Sequence, residues 1–262
     1  MKLARIEYQG EVCKATVTCN GYLVEAPSRF AGTTVSETEA RLLPPTAPGK
    51  ILAVGWNFRE HIKEMVDRSP GVTFSEERAK EKPHPLLFLK PPSSLIGHRD
   101  EILYPVDATR VEYEGELAVV IARDTRRVTH EEARECVLGW TCANDVTERD
   151  QQGLDKQWWR AKGYDTFAVA GPFIETETPL PGAWLRTRVN GKVRQQAQIS
   201  DMIRDPFEVI AVVSQAMTLN RGDLIMLGTP SGVGELHPGD EVEVEIDGVG
   251  YLRNTVRLEE RG

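Results

Sequence analysis

Three acidic side chains recur at alternate positions in VEYEGELAVVIA, residues 111 to 122: Glu112, Glu114 and Glu116. Alternate residues of a strand share a face, so this spacing aims three carboxylates in one direction. Leu117 to Ala122 follows as a continuous apolar run and reads as a buried strand. Two carboxylates about 5 Å apart repel by roughly 3 kcal/mol at an effective dielectric near 20, so a cation or a proton has to relieve them. A solvated edge strand with outward charges is the alternative.

A second acidic group stands in CANDVTERDQQG, residues 142 to 153, where Asn144, Asp145, Glu148 and Asp150 crowd together. Its oxygens do not fall in the register of an EF-hand loop. As a polar loop after an apolar helix it needs no ligand at all. With two glutamates from the strand, however, Asp145 completes a three-carboxylate oxygen site of the kind that Mg²⁺ or Mn²⁺ prefers. In GWNFREHIKEM, His61 and Glu64 are three residues apart and share one helix face. A carboxylate that accepts a proton from imidazole orients the ring and raises its basicity, although an HxxE on an amphipathic helix is also an ordinary surface pattern. The glycine-rich GTPSGVG, Gly228 to Gly234, lacks the lysine and spacing of a phosphate loop and reads as a turn whose N–H groups meet a ligand. No GxSxG elbow, Walker loop or HExxH occurs.

These residues need a scaffold. Residues 1 to 45 read as a small β unit of alternating strands punctuated by Gly10 and Asn20-Gly21, and Leu42 to Lys50 as a proline-rich linker into a second unit, 50 to 262. ILAVGWNF is a buried strand entering a turn, and REHIKEM a short helix. Residues 66 to 85 are charged, with prolines near both ends, and suit a mobile surface segment. Thr129 and Glu132 form a capping box for a helix through about Leu138, and Asp205 with Pro206 starts another that ends near Asn220 to Gly222. Further hairpins are marked by Asn190-Gly191 and Asp247-Gly248. Strands outnumber helices without a βαβ alternation, which predicts an α+β fold dominated by mixed or antiparallel sheet.

The chain of 262 residues is long enough for a sizeable core, and its net charge of −8 argues against a nucleic-acid or anionic-membrane partner. No apolar run reaches the ~18 residues of a membrane span, and the N-terminus has no apolar signal region, so a cytoplasmic protein is expected. Cys13, Cys19, Cys136 and Cys142 fit neither a metal knuckle nor a disulfide scaffold and read as buried free thiols.

Together GWNFREHIKEM, FLKPPSSL, VEYEGELAVVI, NDVTERDQQ, RAKGYDTFAVAGPFI and LGTPSGVG resemble the fumarylacetoacetate hydrolase family from about residue 50 onward. That family includes 2-hydroxyhepta-2,4-diene-1,7-dioate isomerases, oxaloacetate decarboxylases and acylpyruvate hydrolases. The resemblance implies a mixed β-roll, a homodimer, and metal ligation by Glu114, Glu116 and Asp145. It implies a His61–Glu64 dyad on a lid that orders over ligand, a catalytic Lys162, and substrate contacts from Lys90, Gln152 and Thr229. The chemistry that follows is a metal-stabilised enolate of an anionic 2-oxo or 2-hydroxy-dienoic dicarboxylic acid of aromatic catabolism. Isomerisation or decarboxylation is the outcome expected here, with C–C hydrolysis as the alternative from the same site. A non-catalytic, metal-stabilised binding protein is the competing class, and it would need neither the dyad nor Lys162.

Overall fold

Residues 1–68 and 84–260 are described by the computed structural model. Among them the strands form three sheets of twelve, five and three strands. The largest contains, in spatial order, Thr34–Val35, Gly21–Val24, Glu11–Thr18, Lys2–Tyr8, Ala168–Glu175, Val137–Asp145, Gly115–Ile121, Leu224–Met226, Ile51–Gly55 and Leu86–Lys90. Most neighbours are antiparallel, but Leu224–Met226 runs parallel to Ile51–Gly55 and Ala168–Glu175 parallel to Leu95–Ile96. The class is α+β with mixed sheet. The N-terminal strands extend the main sheet, because Lys2 and Leu3 pair with Glu175 and Ile174.

Gly115–Ile121 lies in the middle of this sheet and is buried on both faces, which is why its sequence is continuously apolar. Leu117, Val119 and Ile121 face a core shared with Leu185, Val244 and Leu252 of the five-stranded sheet, whereas Ala118 and Val120 pack with Ile51, Ala143 and Met226. Tight turns close the hairpins where glycine was expected. Asn190 and Gly191 have φ of 52° and 74°, the double left-handed geometry that joins Trp184–Val189 to Lys192–Gln198.

Five helices stand among the described residues: α1 Arg59–Arg68, α2 His130–Ala133, α3 Arg149–Leu154, α4 Trp159–Gly163 and α5 Pro206–Ala216. The capping box at Thr129 and Glu132 is present, but α2 lasts one turn and a 3₁₀ turn carries the chain to Cys136. Helix does not continue to Leu138, because Val137–Asp145 is claimed by strands on both sides. Asp145 is consequently the last residue of a central strand, not part of a loop after a helix. Asp205 caps α5 by accepting from the N–H groups of Phe207 and Glu208, as its sequence predicts. The helix ends at Ala216, short of Asn220, since Leu219 is drawn into a backbone bridge with Thr125.

The proline-rich Leu42–Lys50 stretch is pinned. Thr46 donates to the Gly222 carbonyl at 2.6 Å, and the N–H groups of Gly49 and Lys50 donate to buried Asp223. Cys13, Cys136 and Cys142 are buried and free, but Cys19 is exposed at a hairpin tip and departs from the expectation. No described helix is long and apolar enough to cross a membrane. The lid expectation falls largely on residues 69–83, outside the described residues; α1 is the part of it that is seen.

Candidate active site and metal centre

The three glutamates of VEYEGEL do not share one strand. The chain changes sheets at Glu114: Val111–Tyr113 belongs to the three-stranded sheet and Gly115–Ile121 to the main one. Glu112 is thereby separated from the group formed by Glu114, Glu116 and Asp145, whose ligand oxygens lie within 4.8 Å of one another and are all buried. Gly115 makes this crossing possible, because a Cβ there would lie 2.0 Å from Thr187 Oγ1. Asn144, opposite Gly115 in the next strand, accepts from the Glu114 N–H at 2.9 Å, and the Asp145 N–H donates to the Glu114 carbonyl at 2.9 Å. Backbone pairing thus fixes all three carboxylates.

Each carboxylate has a different electrostatic setting. Burial pushes Glu114 upward, but Lys162 at 2.7 Å and Arg149 at 2.6 Å prevail and hold it well below the carboxylate range. Glu116 receives one backbone N–H, from Gly228 at 2.7 Å. Burial first, then Asp145 and Glu114, raise it well above its ordinary value. Asp145 takes Lys162 at 2.6 Å on Oδ2 and Lys90 on Oδ1. Burial lowers Lys90 to about 8 against the opposing pull of Asp145. For Lys162 burial also lowers the pKa, yet Asp145 and Glu114 together raise it above the usual lysine value.

Arg149, which the sequence reading did not single out, ties the group together. Its Nε donates to Glu112 at 2.8 Å, Nη2 to Glu114 at 2.6 Å and Nη1 to Gln152 at 2.6 Å. Buried Gln195 was missed as well. It accepts from the Gly115 N–H at 3.0 Å and donates to Thr229 Oγ1 at 2.8 Å, while Thr229 donates to the Gly115 carbonyl at 2.9 Å. Asn57 donates to the carbonyls of Leu227 and Arg204 and fastens the start of α1 to the LGTPSG turn. No spacing in the sequence marks Arg149; its charge is lost among those of TERDQQ.

His61 is buried on α1, with Nδ1 at 3.3 Å from Glu64 Oε2. Glu64 also accepts from the Gly232 N–H at 3.1 Å. Burial raises Glu64, but its bond and charge interaction with His61 and the Gly232 N–H bring it below the usual value, so an ionised Glu64 accepts the Nδ1 proton. His61, Glu114, Arg149, Gln152, Lys162 and Thr229 line one cavity of about 20 Å³. Lys90 does not. It is fully buried behind Asp145, with a second bond to the Val146 carbonyl at 3.1 Å, so it supports that ligand instead of lining the substrate space.

Glu112 is matched by Arg149, Arg110 and Arg68, and Glu114 and Asp145 by Arg149, Lys162 and Lys90. Glu116, buried beside them, makes no ion pair among the described residues and accepts only the Gly228 N–H. A proton on Glu116 or a divalent cation satisfies it, and a donor set of three buried carboxylates suits a hard divalent ion. The residues present therefore fit a metal held by Glu114, Glu116 and Asp145.

Residues 50–257 match the family model described as fumarylacetoacetate (FAA) hydrolase C-terminal. This chain is a member of the fumarylacetoacetate hydrolase family. Its members are enzymes, among them isomerases, hydrolases and tautomerases, and typically use divalent metals. An Archaeoglobus fulgidus protein is 45% identical over 253 residues, covering 97% of this chain and 95% of that one. The oxaloacetate tautomerase YisK of Bacillus subtilis is 36% identical over 233 residues, 85% of this chain and 74% of the relative. Among solved structures, 5-carboxymethyl-2-hydroxymuconate delta-isomerase from Mycobacterium smegmatis is 38% identical with a TM-score of 0.86, and covers 100% of both chains. The 2-hydroxyhepta-2,4-diene-1,7-dioate isomerase from Mycobacterium marinum is 36% identical with a TM-score of 0.85, also over 100% of both.

Proposed function

We propose that this family member is a divalent-metal-dependent enzyme for 2-oxo dicarboxylic acids and their 2-hydroxy-dienoic enol forms, and that it acts chiefly as an isomerase. The observation that carries this reading is that His61, braced by Glu64, opens onto the same cavity as Glu114, Arg149 and Lys162. Glu114, Glu116 and Asp145 would hold a divalent cation, and the chemistry it would supply is that of a Lewis acid for the 2-oxo oxygen. Lys162 and Arg149 bring positive charge to the side where an acid head group sits. Glu64 accepts the Nδ1 proton of His61, which leaves Nε2 to remove a proton from the carbon next to the carbonyl and to return it at oxygen or further along a conjugated chain. Thr229 and Gln152 border the head group and fix its orientation.

Tautomerisation and double-bond migration need only this proton transfer. Decarboxylation passes through the same enolate. The dicarboxylic class is supported by the relatives named for oxaloacetate and heptadienedioate. C–C hydrolysis is the second reading, favoured by the size of the cavity: about 20 Å³ admits about one water molecule, which His61 could activate. The test is hydron exchange at C3 of 2-oxo dicarboxylates in D₂O, followed by NMR with Mg²⁺ or Mn²⁺ and with chelator. Metal-dependent exchange faster than the solvent reaction is expected. Exchange no faster than the protein-free control, with cleavage products accumulating from acylpyruvates instead, would overturn isomerisation in favour of hydrolysis.

A further inference from the structure

The cavity at the charged cluster has a second wall of a different character, made by the rings of Trp56, Phe88 and Trp158. The same three rings line another cavity, of about 1100 Å³. Its remaining surface is mainly apolar and includes Leu86, Leu89, Val212 and Met217. The rings are a common wall between a space that holds about one water and one that holds a sizeable ligand.

Trp158 is the centre of this wall. Its ring meets Phe88 at 5.3 Å and Trp56 at 6.1 Å between centroids, both edge to face. It stands one turn before Lys162, whose backbone N–H donates to the Trp158 carbonyl at 2.9 Å. On the other side it covers Gly55 so closely that a Cβ there would be 3.1 Å from the ring. Trp56 adopts φ of 58°, a left-handed conformation that a bulky residue seldom takes and that concentrates at functional positions. Buried ion pairs hold the charged wall, whereas ring contacts and the Lys162 ammonium, 5.0 Å over the Phe88 ring, hold the aromatic one.

We infer that Trp56, Phe88 and Trp158 form the specificity wall of the site, and that the apolar cavity behind them takes the hydrocarbon segment that separates the far acid group from the 2-oxo head of a long 2-oxo dicarboxylic acid. This rests on the reading above, since the charged wall must hold the 2-oxo acid head. Such a segment begins beyond C3, where proton transfer occurs, and runs past Trp158 towards Val212 and Met217. A four-carbon acid has nothing to place there. Substrates with an extended apolar segment gain binding that shorter acids cannot.

The experiment uses the full chain with Mg²⁺ and the straight-chain dicarboxylic acids from 2-oxobutanedioate to 2-oxodecanedioate. Kd is measured by calorimetry and C3 exchange by NMR. Kd should fall about fourfold for each methylene that reaches the cavity, the transfer value of a buried CH₂. Val212→Glu should flatten this dependence, and Met217→Glu is the second variant; both positions are only half-buried, so the fold tolerates a charge. A Kd independent of chain length, with exchange still proceeding, overturns the inference and leaves the isomerase reading standing. A slope that survives both variants also overturns it, because the chain then lies elsewhere. A slope without exchange of any acid supports the chain subsite and sinks the isomerase reading. No binding of any acid overturns both.

Discussion

The Lys162 ammonium stands 2.6 Å from Asp145 Oδ2, inside the set of oxygens that would hold a metal. The same nitrogen is 2.7 Å from Glu114, so one cation already bridges two of the three ligand carboxylates. A metal and Lys162 therefore relieve the same repulsion. Lys162→Met should destabilise the metal-free protein by about 3–5 kcal/mol, the usual cost of stripping one partner from a buried ion pair. Mg²⁺ should restore more stability to the variant than to the parent, because it replaces the missing charge. Thermal unfolding of both proteins, with Mg²⁺ and with chelator, measures this. Equal stabilisation of the two by Mg²⁺ would show that the lysine and the ion do not share the cluster.

Glu116 sets the pH dependence. Burial, Asp145 and Glu114 keep its proton on well above the usual carboxylate range. Its folded pKa is raised, so between the unfolded and folded values the folded state binds the extra proton. Metal-free stability should accordingly fall as pH rises through that window. Metal binding needs the carboxylate and expels the proton. Affinity for Mn²⁺ should rise about tenfold per pH unit below the raised pKa and level off above it. Titrations in buffers of different ionisation enthalpy count the proton released. Glu116→Gln removes both the proton and most of the affinity; release of no proton by the parent would contradict this account.

How far this site can be read from the amino-acid order depends on where its contacts lie. An acidic site was legible because alternate acids at the mouth of an apolar run are costly without a counter-charge, but the choice of Glu114 and Glu116 over Glu112, with Asp145, came from the family resemblance. The turn and cap residues Asn190, Gly191, Asp205 and Pro206 act locally and were equally plain. VLGWTCAND was misplaced because a short apolar run after a true capping box suits helix or strand, and its two sheet partners, Gly115–Ile121 and Ala168–Glu175, decide the matter from elsewhere in the chain. Arg149 escaped notice for a related reason. Its importance comes from Glu112 and Glu114, 37 and 35 residues away, which approach it only because the chain changes sheets between them. Lys90 was seen, but no sequence pattern distinguishes a lysine in front of Asp145 from one behind it.

Gly115 separates the two ligand glutamates for a steric reason that can be tested directly. An added Cβ would meet Thr187 Oγ1 at 2.0 Å and Gln195 Oε1 at 3.2 Å. Gly115→Ala should cost about 1–3 kcal/mol through overpacking and should weaken metal binding by spreading Glu114 and Glu116. Adding Thr187→Ala removes the nearer atom and should recover part of both losses. Denaturant unfolding and Mn²⁺ titration of the single and double variants provide the comparison. If the double variant is no better than Gly115→Ala, the close approach to Thr187 is not what keeps a glycine there.

His61 separates proton transfer from metal holding. It lines the cavity but lies outside the group of metal-ligand oxygens, and its Nδ1 is engaged by Glu64 at 3.3 Å. His61→Ala should lower kcat for C3 exchange by about 10²–10⁴-fold, the range of general-base contributions, with Mn²⁺ affinity nearly intact. Glu64→Ala loses the ring's orientation and its paired charge, so its kcat should fall in the same direction. The double variant should be little worse than His61→Ala, because two residues acting as one unit are not additive. Decarboxylation of oxaloacetate requires no proton removal from carbon to reach the enolate. It should suffer less than exchange in each variant, which distinguishes loss of the base from collapse of the site. Rates of exchange and CO₂ release for the parent and the three variants test all of these points. Equal losses in the two reactions would assign His61 to shaping the cavity, and unchanged rates would remove it from the mechanism.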